Sequence, residues 1–149
     1  MDQDELKEIL NKSEKFLGLR LRSTAEVRFY FKYKKSHPGE VIDQLVNYLT
    51  ESGFLDDLRF AKSWTQSRLA IGKGWGVIEQ ELRKKGVAKE IIREVKENLD
   101  DFDTTRAIDQ AYEKALRKYG ENNQKLIAYL GRRGFSYSQI KEAIKKEIN

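Results

Sequence analysis

The chain has 149 residues, of which 39% are hydrophobic and 36% charged, and its 29 basic and 24 acidic side chains leave a formal net charge of +5. The absence of cysteine excludes a disulfide framework and cysteine metal sites, and no apolar run approaches the ~20 residues that span a bilayer. Together with an acidic, amphipathic start that is unlike a signal peptide, these properties predict a cytoplasmic protein with an acidic partner, either nucleic acid or protein.

Nine helices are predicted in three groups, because apolar residues recur at helical spacing and a single proline interrupts the chain. Each group begins with a long helix, at about residues 4–19, 57–71 and 104–119. Each continues with a second helix that carries an apolar i, i+4 pair; the pairs are Val27 and Phe31, Ile78 and Leu82, and Leu126 and Leu130. A third helix has its own stripe, which is Val41, Leu45 and Leu49 in the first group and Ile140, Ile144 and Ile148 in the last.

The three groups match one another at a period of about 50 residues, which is typical of stacked supersecondary units that share a core. The matched sets are Val27, Phe31, Lys35 and Val41; Ile78, Leu82, Gly86 and Ile92; and Leu126, Leu130, Gly134 and Ile140. Gly86 and Gly134 stand where a helix should end, because glycine tolerates a left-handed C′ conformation. We therefore predict an all-α fold of three tandem three-helix repeats in an elongated curved array, with the repeats at residues 1–52, 53–101 and 102–149.

Asp56 and Asp57 are adjacent carboxylates that can either hold a metal ion or begin a helix. An aspartate just before a helix accepts hydrogen bonds from free backbone N–H groups and suits the positive end of the helix dipole. The matching place in the third repeat is also acidic, and Ser23-Thr24-Ala25-Glu26 forms a capping box in the first. Capping is therefore the favoured interpretation of both aspartates.

Catalytic arrangements are otherwise missing from the sequence, which has no cysteine nucleophile, no HExxH and no serine–histidine pair at a plausible spacing. A carboxylate-dependent nuclease is the one enzyme interpretation left, and its acids would have to converge from two unit boundaries. The glycines of GKGWG at 72–76 lack the P-loop pattern and are interpreted as a flexible hinge. We predict a protein without catalytic activity, metal or cofactor.

Basic residues recur at the end of every predicted second helix. The equivalent cations are Lys34, Lys85 and Arg133, preceded by Tyr33, Lys84 and Arg132. One interpretation is local, since a cation near a helix C-terminus is favoured by roughly 0.3–1 kcal/mol. The other is a row of basic patches that follows a regularly repeating acidic partner, and the two interpretations are compatible.

The first repeat has a second basic stripe, formed by Arg28, Lys32 and Lys35 on one helix face, beside an aromatic stripe of Phe29 and Tyr33. Val27 and Phe31 already supply the core side of this helix, so the aromatic rings of Phe29, Tyr30 and Tyr33 are surplus to the core. Basic residues interleaved with aromatic ones suit base stacking or a protein interface, and packing between units is the alternative. The remaining candidates for partner contact are Arg68 and Lys73.

Three segments, FLDDLRFAKSW, GKGWGVIEQELRKKGV and LGRRGFSYSQI, are together similar to the RecX family of recombinase regulators. The resemblance covers nearly the whole chain and implies tandem three-helix repeats. It also implies binding to RecA and to its filament on single-stranded DNA, inhibition of RecA's ATPase and strand exchange, and restraint of recombinational repair and of the SOS response, without catalysis by the regulator itself. The family's lysine-glycine hinge is replaced in the first repeat by Lys34-Lys35-Ser36-His37-Pro38.

From this resemblance we expect a monomer whose successive repeats span neighbouring RecA subunits in the filament groove, with at most weak direct contact to DNA. The alternative from another class is a DNA-binding module that acts without RecA. Such a module would bind naked DNA tightly and with a steep salt dependence.

Overall fold

The computed structural model describes the backbone of residues 3–148 and the side chains of residues 3–146. Within that range the chain forms nine α-helices and no strand, which confirms the predicted all-α fold. The helices form three units: α1 (Gln3–Leu19), α2 (Thr24–Phe29) and α3 (Gly39–Glu51); α4 (Asp57–Ala70), α5 (Trp75–Lys84) and α6 (Lys89–Glu97); and α7 (Asp101–Tyr119), α8 (Asn123–Arg132) and α9 (Tyr137–Ile148). The side chain of Ile148, assigned to an apolar stripe, lies outside the described residues.

Capping side chains begin the helices as the sequence predicts. Ser23 Oγ accepts a hydrogen bond from the N–H of Glu26 (3.1 Å), and the Glu26 carboxylate accepts one from the N–H of Ser23 (3.0 Å), so the capping box is confirmed. Asp56 caps α4 by accepting a hydrogen bond from the N–H of Arg59 (3.1 Å). Asp100 caps α7 in the same manner. These carboxylates therefore satisfy backbone donors that a helix leaves unpaired.

The first unit differs from the others by one extra residue at the end of its second helix. There α2 continues without a break into a π-helical turn over Tyr30–Lys34, and the positive φ of 56° belongs to Ser36 instead of a glycine. In the other units Gly86 (φ 75°) and Gly134 (φ 100°) take this place, as predicted. A π-helix accommodates the extra residue because its hydrogen bonds span one residue more than those of an α-helix.

The π-helical turn changes the alignment of the basic residues. Counted back from the residue of positive φ, Lys35 is the counterpart of Lys85 and Arg133. The predicted counterpart, Lys34, is wrong by one position and corresponds instead to the cation before each of them. The second helix therefore ends in two adjacent cations in all three units, where the sequence alignment found such a pair in only two.

The buried side chains form two separate hydrophobic cores. The second and third units share one, whose buried members lie between Phe60 and Ala143. The first unit has its own core, from Ile9 to Leu55, which takes Ile42 of α3 where the predicted stripe had Val41. The predicted common core is therefore confirmed for the second and third units and is wrong for the first.

Adjacent units meet at equivalent places: the turn after the second helix of one unit lies against the start of the second helix of the unit before it. Between the third and second units, the N–H of Gly74 donates a hydrogen bond to the carbonyl of Arg133 (2.7 Å). Between the second and first units, the hydroxyl of Ser23 donates one to the carbonyl of Lys85 (2.6 Å). Both junctions thus use the equivalent carbonyl as acceptor, with a backbone N–H as the donor in one and a side-chain hydroxyl in the other.

The GKGWG segment is part of this junction and is not a flexible hinge, so that prediction is wrong. A Cβ on Gly74 would lie 2.6 Å from the carbonyl carbon of Gly134, and one on Gly76 would lie 3.0 Å from its oxygen. The N–H of Gly76 also donates a hydrogen bond to the carbonyl of Gly134 (2.9 Å). These glycines are present because only a residue without a side chain lets the two backbones approach so closely.

Candidate partner-binding surface

The two cations at the end of each second helix have different surroundings. The outer one of each pair is exposed and forms no ion pair with any residue that the structure describes; these outer cations are Lys34, Lys84 and Arg132. In the second and third units the inner cation is only partly exposed and contacts the preceding unit. In the first unit the inner cation, Lys35, is exposed as well. The outer cations, together with Lys35, are consequently the ones available to a partner.

Lys85 and Arg133, the inner cations of the second and third units, each hold a junction between units. The Arg133 guanidinium donates hydrogen bonds to the carbonyls of Ile71 (2.6 Å) and Gly72 (3.2 Å), which follow the end of α4. The Lys85 ammonium lies 3.5 Å from a carboxylate oxygen of Glu26 in the first unit. The Lys85 charge is therefore partly neutralised by Glu26, whereas Arg133 keeps its charge but has its N–H groups occupied by carbonyls.

Trp64 of α4 is surrounded by cations from both of the first two units. The distance from the centroid of its ring is 4.6 Å to the Arg68 guanidinium, 5.1 Å to the Lys85 ammonium and 5.9 Å to the Arg20 guanidinium. The ring also stacks on Phe60 at 5.8 Å and packs against the shared core. Cations over an indole face are attracted by its quadrupole, so Trp64 helps to hold the first unit against the second.

Arg68 and Lys73 belong to an internal ion network. The Arg68 guanidinium makes two hydrogen bonds to the Glu81 carboxylate (3.1 and 2.9 Å), and the Lys73 ammonium lies 3.6 Å from the same carboxylate. Both cations are partly buried. The structure thus brings these two predicted contact residues together, but it pairs them with an acid of the same chain.

Glu26 is the acid at the centre of the first junction, and it accepts hydrogen bonds from the Arg20 guanidinium. Burial alone would raise the pKa of Glu26. The hydrogen bonds from Arg20 and from the N–H of Ser23, with the charges of Arg20 and Lys85, outweigh burial and hold the pKa of Glu26 below its ordinary value. Glu26 therefore stays ionised and keeps its partner cations in place.

The predicted basic and aromatic stripes of the first unit lie at its surface. Phe29 and Tyr33 are 59% and 61% exposed, with ring centroids 4.8 Å apart, and the Lys32 ammonium lies 5.1 Å from the Tyr33 centroid. Arg28 forms an ion pair with Asp43 (2.6 Å). The rings of Phe29 and Tyr33 are therefore not used for packing between units. Tyr30 is partly buried and packs against the core of the first unit, so its interpretation as a surplus ring is wrong.

A concave surface lies between the first and second units and joins several predicted residues. This junction hollow has a volume of about 390 Å³, and the side chains that give it its chemistry are Phe16, Glu26, Phe29, Tyr30, Lys34, Lys84 and Lys85. A second hollow of about 400 Å³ lies beside it, with Arg28, Lys32 and Tyr33 in its wall, and Phe29 lines both. The cations of the third unit, Arg132 and Arg133, are outside these hollows.

Sequence reasoning missed Phe16 and Arg20, which complete the junction. It also missed Glu81, which pairs with Arg68 and Lys73 inside the second unit. Arg20 lies in a recognisable basic stretch, and Glu26 was identified only as a capping residue. Nothing in the periodicity indicates that Arg20 reaches Trp64, because the contact joins two units. Among the residues that the structure describes, no group of three or more His, Cys, Asp or Glu could hold a metal ion.

Two family models match parts of this chain. Residues 56–95 match the family model for the second three-helix domain of RecX, and residues 103–144 match the model for the third. The chain belongs to the RecX family. None of the helices in the described part of the chain is long and apolar enough to cross a membrane.

Similar RecX proteins occur in several bacteria. The chain is 37% identical to regulatory protein RecX of Streptococcus gordonii over 134 residues, which cover 85% of this chain and 50% of that protein. It is 33% identical to Bacillus subtilis RecX over 147 residues, which cover 95% of this chain and 55% of that protein. It is 33% identical to Mycolicibacterium smegmatis RecX over 144 residues, which cover 90% of this chain and 76% of that protein. The chain thus spans about half the length of several curated relatives that it matches.

Solved RecX structures have the same fold. The crystal structure of RecX from Lactobacillus salivarius superimposes with a TM-score of 0.83 at 23% sequence identity and covers 96% of both chains. A second crystal structure of regulatory protein RecX gives a TM-score of 0.82 at 23% identity, covering 96% of this chain and 72% of the other. At this level of identity the similarity shows that the helices are arranged in the same way.

Proposed function

We propose that this protein binds RecA and its filament on single-stranded DNA, inhibits the ATPase and strand exchange of RecA, and so restrains recombinational repair and the SOS response. Membership of the RecX family and the name of its relatives, regulatory protein RecX, support this proposal. The protein acts as a cytoplasmic monomer without catalytic activity or cofactor.

The observation that carries the proposal is the repetition of an exposed cation at equivalent turns. Lys34, Lys84 and Arg132 each end a second helix, are exposed and lack an ion-pair partner among the described residues. A chain of tandem units that presents the same charge once per unit suits a partner whose acidic surface also repeats, as a filament does.

In the proposed mechanism the protein lies in the filament groove, and its successive units contact neighbouring RecA subunits. Such a position obstructs entry of a second DNA duplex and hinders the subunit motion that accompanies ATP hydrolysis. It also opposes filament growth. The three units that would contact RecA in this way are the repeats at residues 1–52, 53–101 and 102–149.

A DNA-binding module that acts without RecA is the second candidate. The exposed rings of Phe29 and Tyr33 beside Lys32 favour it, because aromatic faces near cations can stack unpaired bases. This candidate requires tight binding to naked DNA that weakens steeply with salt.

The test is the single-stranded-DNA-dependent ATPase of RecA, measured while the protein is titrated in at near-physiological salt. A parallel titration follows binding to the same DNA without RecA. We expect inhibition at protein concentrations far below those that coat the naked DNA. Inhibition that begins only when the DNA is saturated would instead identify a competing DNA binder and exclude the groove mechanism.

A charge-reversal variant tests the residues. Changing the three outer cations to glutamate should abolish inhibition without unfolding the protein, because these exposed side chains hold no junction; the variant is K34E/K84E/R132E. Lys85 and Arg133 stay unchanged, since their loss would loosen the units. The matched control, K7E/K62E/K114E, changes net charge by the same amount at exposed lysines elsewhere. Equal inhibition by both variants would refute the assignment of the outer cations.

A further inference from the structure

The junction hollow has an apolar floor and a basic rim, and this combination points to one class of ligand. We propose that it binds a short acidic segment of a partner protein that carries a large apolar side chain beside its carboxylates. The inference rests on the proposed function for the premise that the partner is a protein. It adds the place of contact and the chemistry of the segment bound there.

The rim of the junction hollow carries lysines that can form ion pairs with carboxylates. Lys34 and Lys84 are exposed and have no ion-pair partner within the described residues. The third rim cation, Lys85, already holds a carboxylate, that of Glu26 at 3.5 Å. Glu26 also lines the hollow, but it is one carboxylate against three lysines and is shared with Arg20, so the rim stays positive. The pairing of Lys85 with Glu26 is thus an internal example of what the two free lysines can do for a partner.

The floor of the junction hollow is closed and apolar. Phe16 and Tyr30 stack on each other with ring centroids 4.0 Å apart. The far side is closed where Gly86 meets Ala25, so tightly that a Cβ on Gly86 would lie 2.3 Å from the Ala25 Cβ. A volume of about 390 Å³ accommodates a few side chains, which is the lower end of the range for ligand sites. A buried apolar anchor would add affinity by leaving water.

The arrangement of the rings favours a protein segment over nucleic acid. Non-specific single-strand binding uses a groove that follows the backbone past successive free aromatic faces. In the junction hollow two of the three rings face each other, and the Arg22 guanidinium lies 4.2 Å from the Phe16 centroid. Phe29 is the exposed ring of the three. A single open ring over a closed floor suits one apolar anchor better than a row of bases.

The experiment uses the full chain, labelled with ¹⁵N, and three unlabelled probes followed by amide chemical shifts at near-physiological salt. The first probe is a capped hexapeptide with five aspartates and glutamates around one phenylalanine. The second has alanine in place of that phenylalanine, and the third is oligothymidylate of the same formal charge. We expect shifts from the first probe to concentrate at residues 29–34 and 84–86, and about tenfold weaker binding of the second, because the anchor is lost.

Two variants locate the site. K34E/K84E should weaken binding of the phenylalanine peptide at least tenfold, whereas the matched reversal K62E/K114E should change it less than twofold. Phe29→Ala, at an exposed ring, should reduce the difference between the phenylalanine and alanine peptides while leaving the fold intact. Unaltered binding by K34E/K84E would overturn the assignment of the rim, and equal binding of the two peptides would overturn that of the floor.

The outcomes also separate this inference from the proposed function. If neither peptide binds, or if oligothymidylate alone binds and depends on Lys34 and Lys84, the inference is wrong. The RecA ATPase measurement then still decides whether the protein is a filament regulator. If the phenylalanine peptide binds as expected but RecA is not inhibited, the chemistry of the hollow stands and the proposed function is wrong.

Discussion

Asp57, in the first turn of α4, caps a helix of the preceding unit instead of its own. Its Oδ1 accepts hydrogen bonds from the backbone N–H of Thr24 (2.8 Å) and from the Thr24 hydroxyl (3.0 Å). Thr24 is the first residue of α2, so this carboxylate joins two units whose hydrophobic cores are separate. The adjacent Asp56 caps α4 itself. Both aspartates therefore bind backbone donors, and the tandem arrangement explains why there are two.

Removing the Asp57 carboxylate should loosen the first unit. Asp57→Ala leaves the N–H of Thr24 without its partner and should lower the free energy of unfolding by about 1–2 kcal/mol, measured by urea denaturation. Asp57→Asn keeps an acceptor and should cost less than half as much. Addition of EDTA should leave the melting temperature of the wild-type protein unchanged. Equal stability of Asp57→Ala and the wild-type protein would show that the contact contributes nothing.

Two neighbouring glycines should respond to alanine in opposite directions. Gly134 has φ 100°, and a Cβ there would lie 2.5 Å from the N of Val77, so Gly134→Ala should destabilise the protein by more than about 2 kcal/mol. Gly131 lies inside α8 with nothing near its Cβ position, so Gly131→Ala should stabilise it by up to about 1 kcal/mol. Thermal unfolding of both variants checks the prediction. A tolerated Gly134→Ala would contradict the close approach of the two units.

Arg132 and Arg133 should separate stability from inhibition. Arg133→Ala removes hydrogen bonds to two backbone carbonyls beyond α4 and should cost about 1–2 kcal/mol of stability. Arg132→Ala removes an exposed cation, so we expect a stability change within about 0.5 kcal/mol but weaker inhibition of the RecA ATPase. Urea denaturation and the ATPase titration are measured on the same samples. If Arg132→Ala lowered stability and Arg133→Ala weakened inhibition instead, the partner contact would belong to Arg133 and the prediction would be wrong.

The ion pairs of Glu26 should make the first junction sensitive to acid. The pKa of Glu26 is held below its ordinary value of 4.5 in the folded protein, so ionised Glu26 stabilises the fold fully above about pH 4.5. This contribution is lost as pH falls through the folded-state pKa. Glu26→Gln should therefore be less stable than the wild-type protein at neutral pH, and the difference should shrink in acid.

Unfolding curves in urea between pH 7 and pH 3 measure this difference in free energy. Glu79→Gln is the matched control, because Glu79 pairs with Arg83 on the exposed surface of α5. The control should change stability little at any pH, since exposed ion pairs contribute only about 0–1 kcal/mol. A difference between Glu26→Gln and the wild-type protein that stays constant in acid would mean that the Glu26 carboxylate does not act through its charge.

Most of the fold was predictable because helices depend on local spacing. The apolar pairs of the second helices are buried as expected, as Ile78 and Leu126 illustrate, and Ser23 and Asp56 cap the helices they precede. The π-helical turn was not predictable, since one inserted residue changes no apolar pair before it. The prediction failed at that turn, where it aligned Lys34 with Lys85 in place of Lys35.

The sequence by itself determined the helices, their repetition, the caps and the recurrence of basic residues, because each depends on residues within a few turns of one another. Only the tertiary structure decided which cation of the pair is free in the second and third units. The answer depends on contacts between units, such as that of Lys85 with Glu26 or of Arg133 with the carbonyl of Gly72. Two adjacent lysines look equivalent in a sequence, but packing turns one toward the preceding unit and leaves the other exposed to solvent.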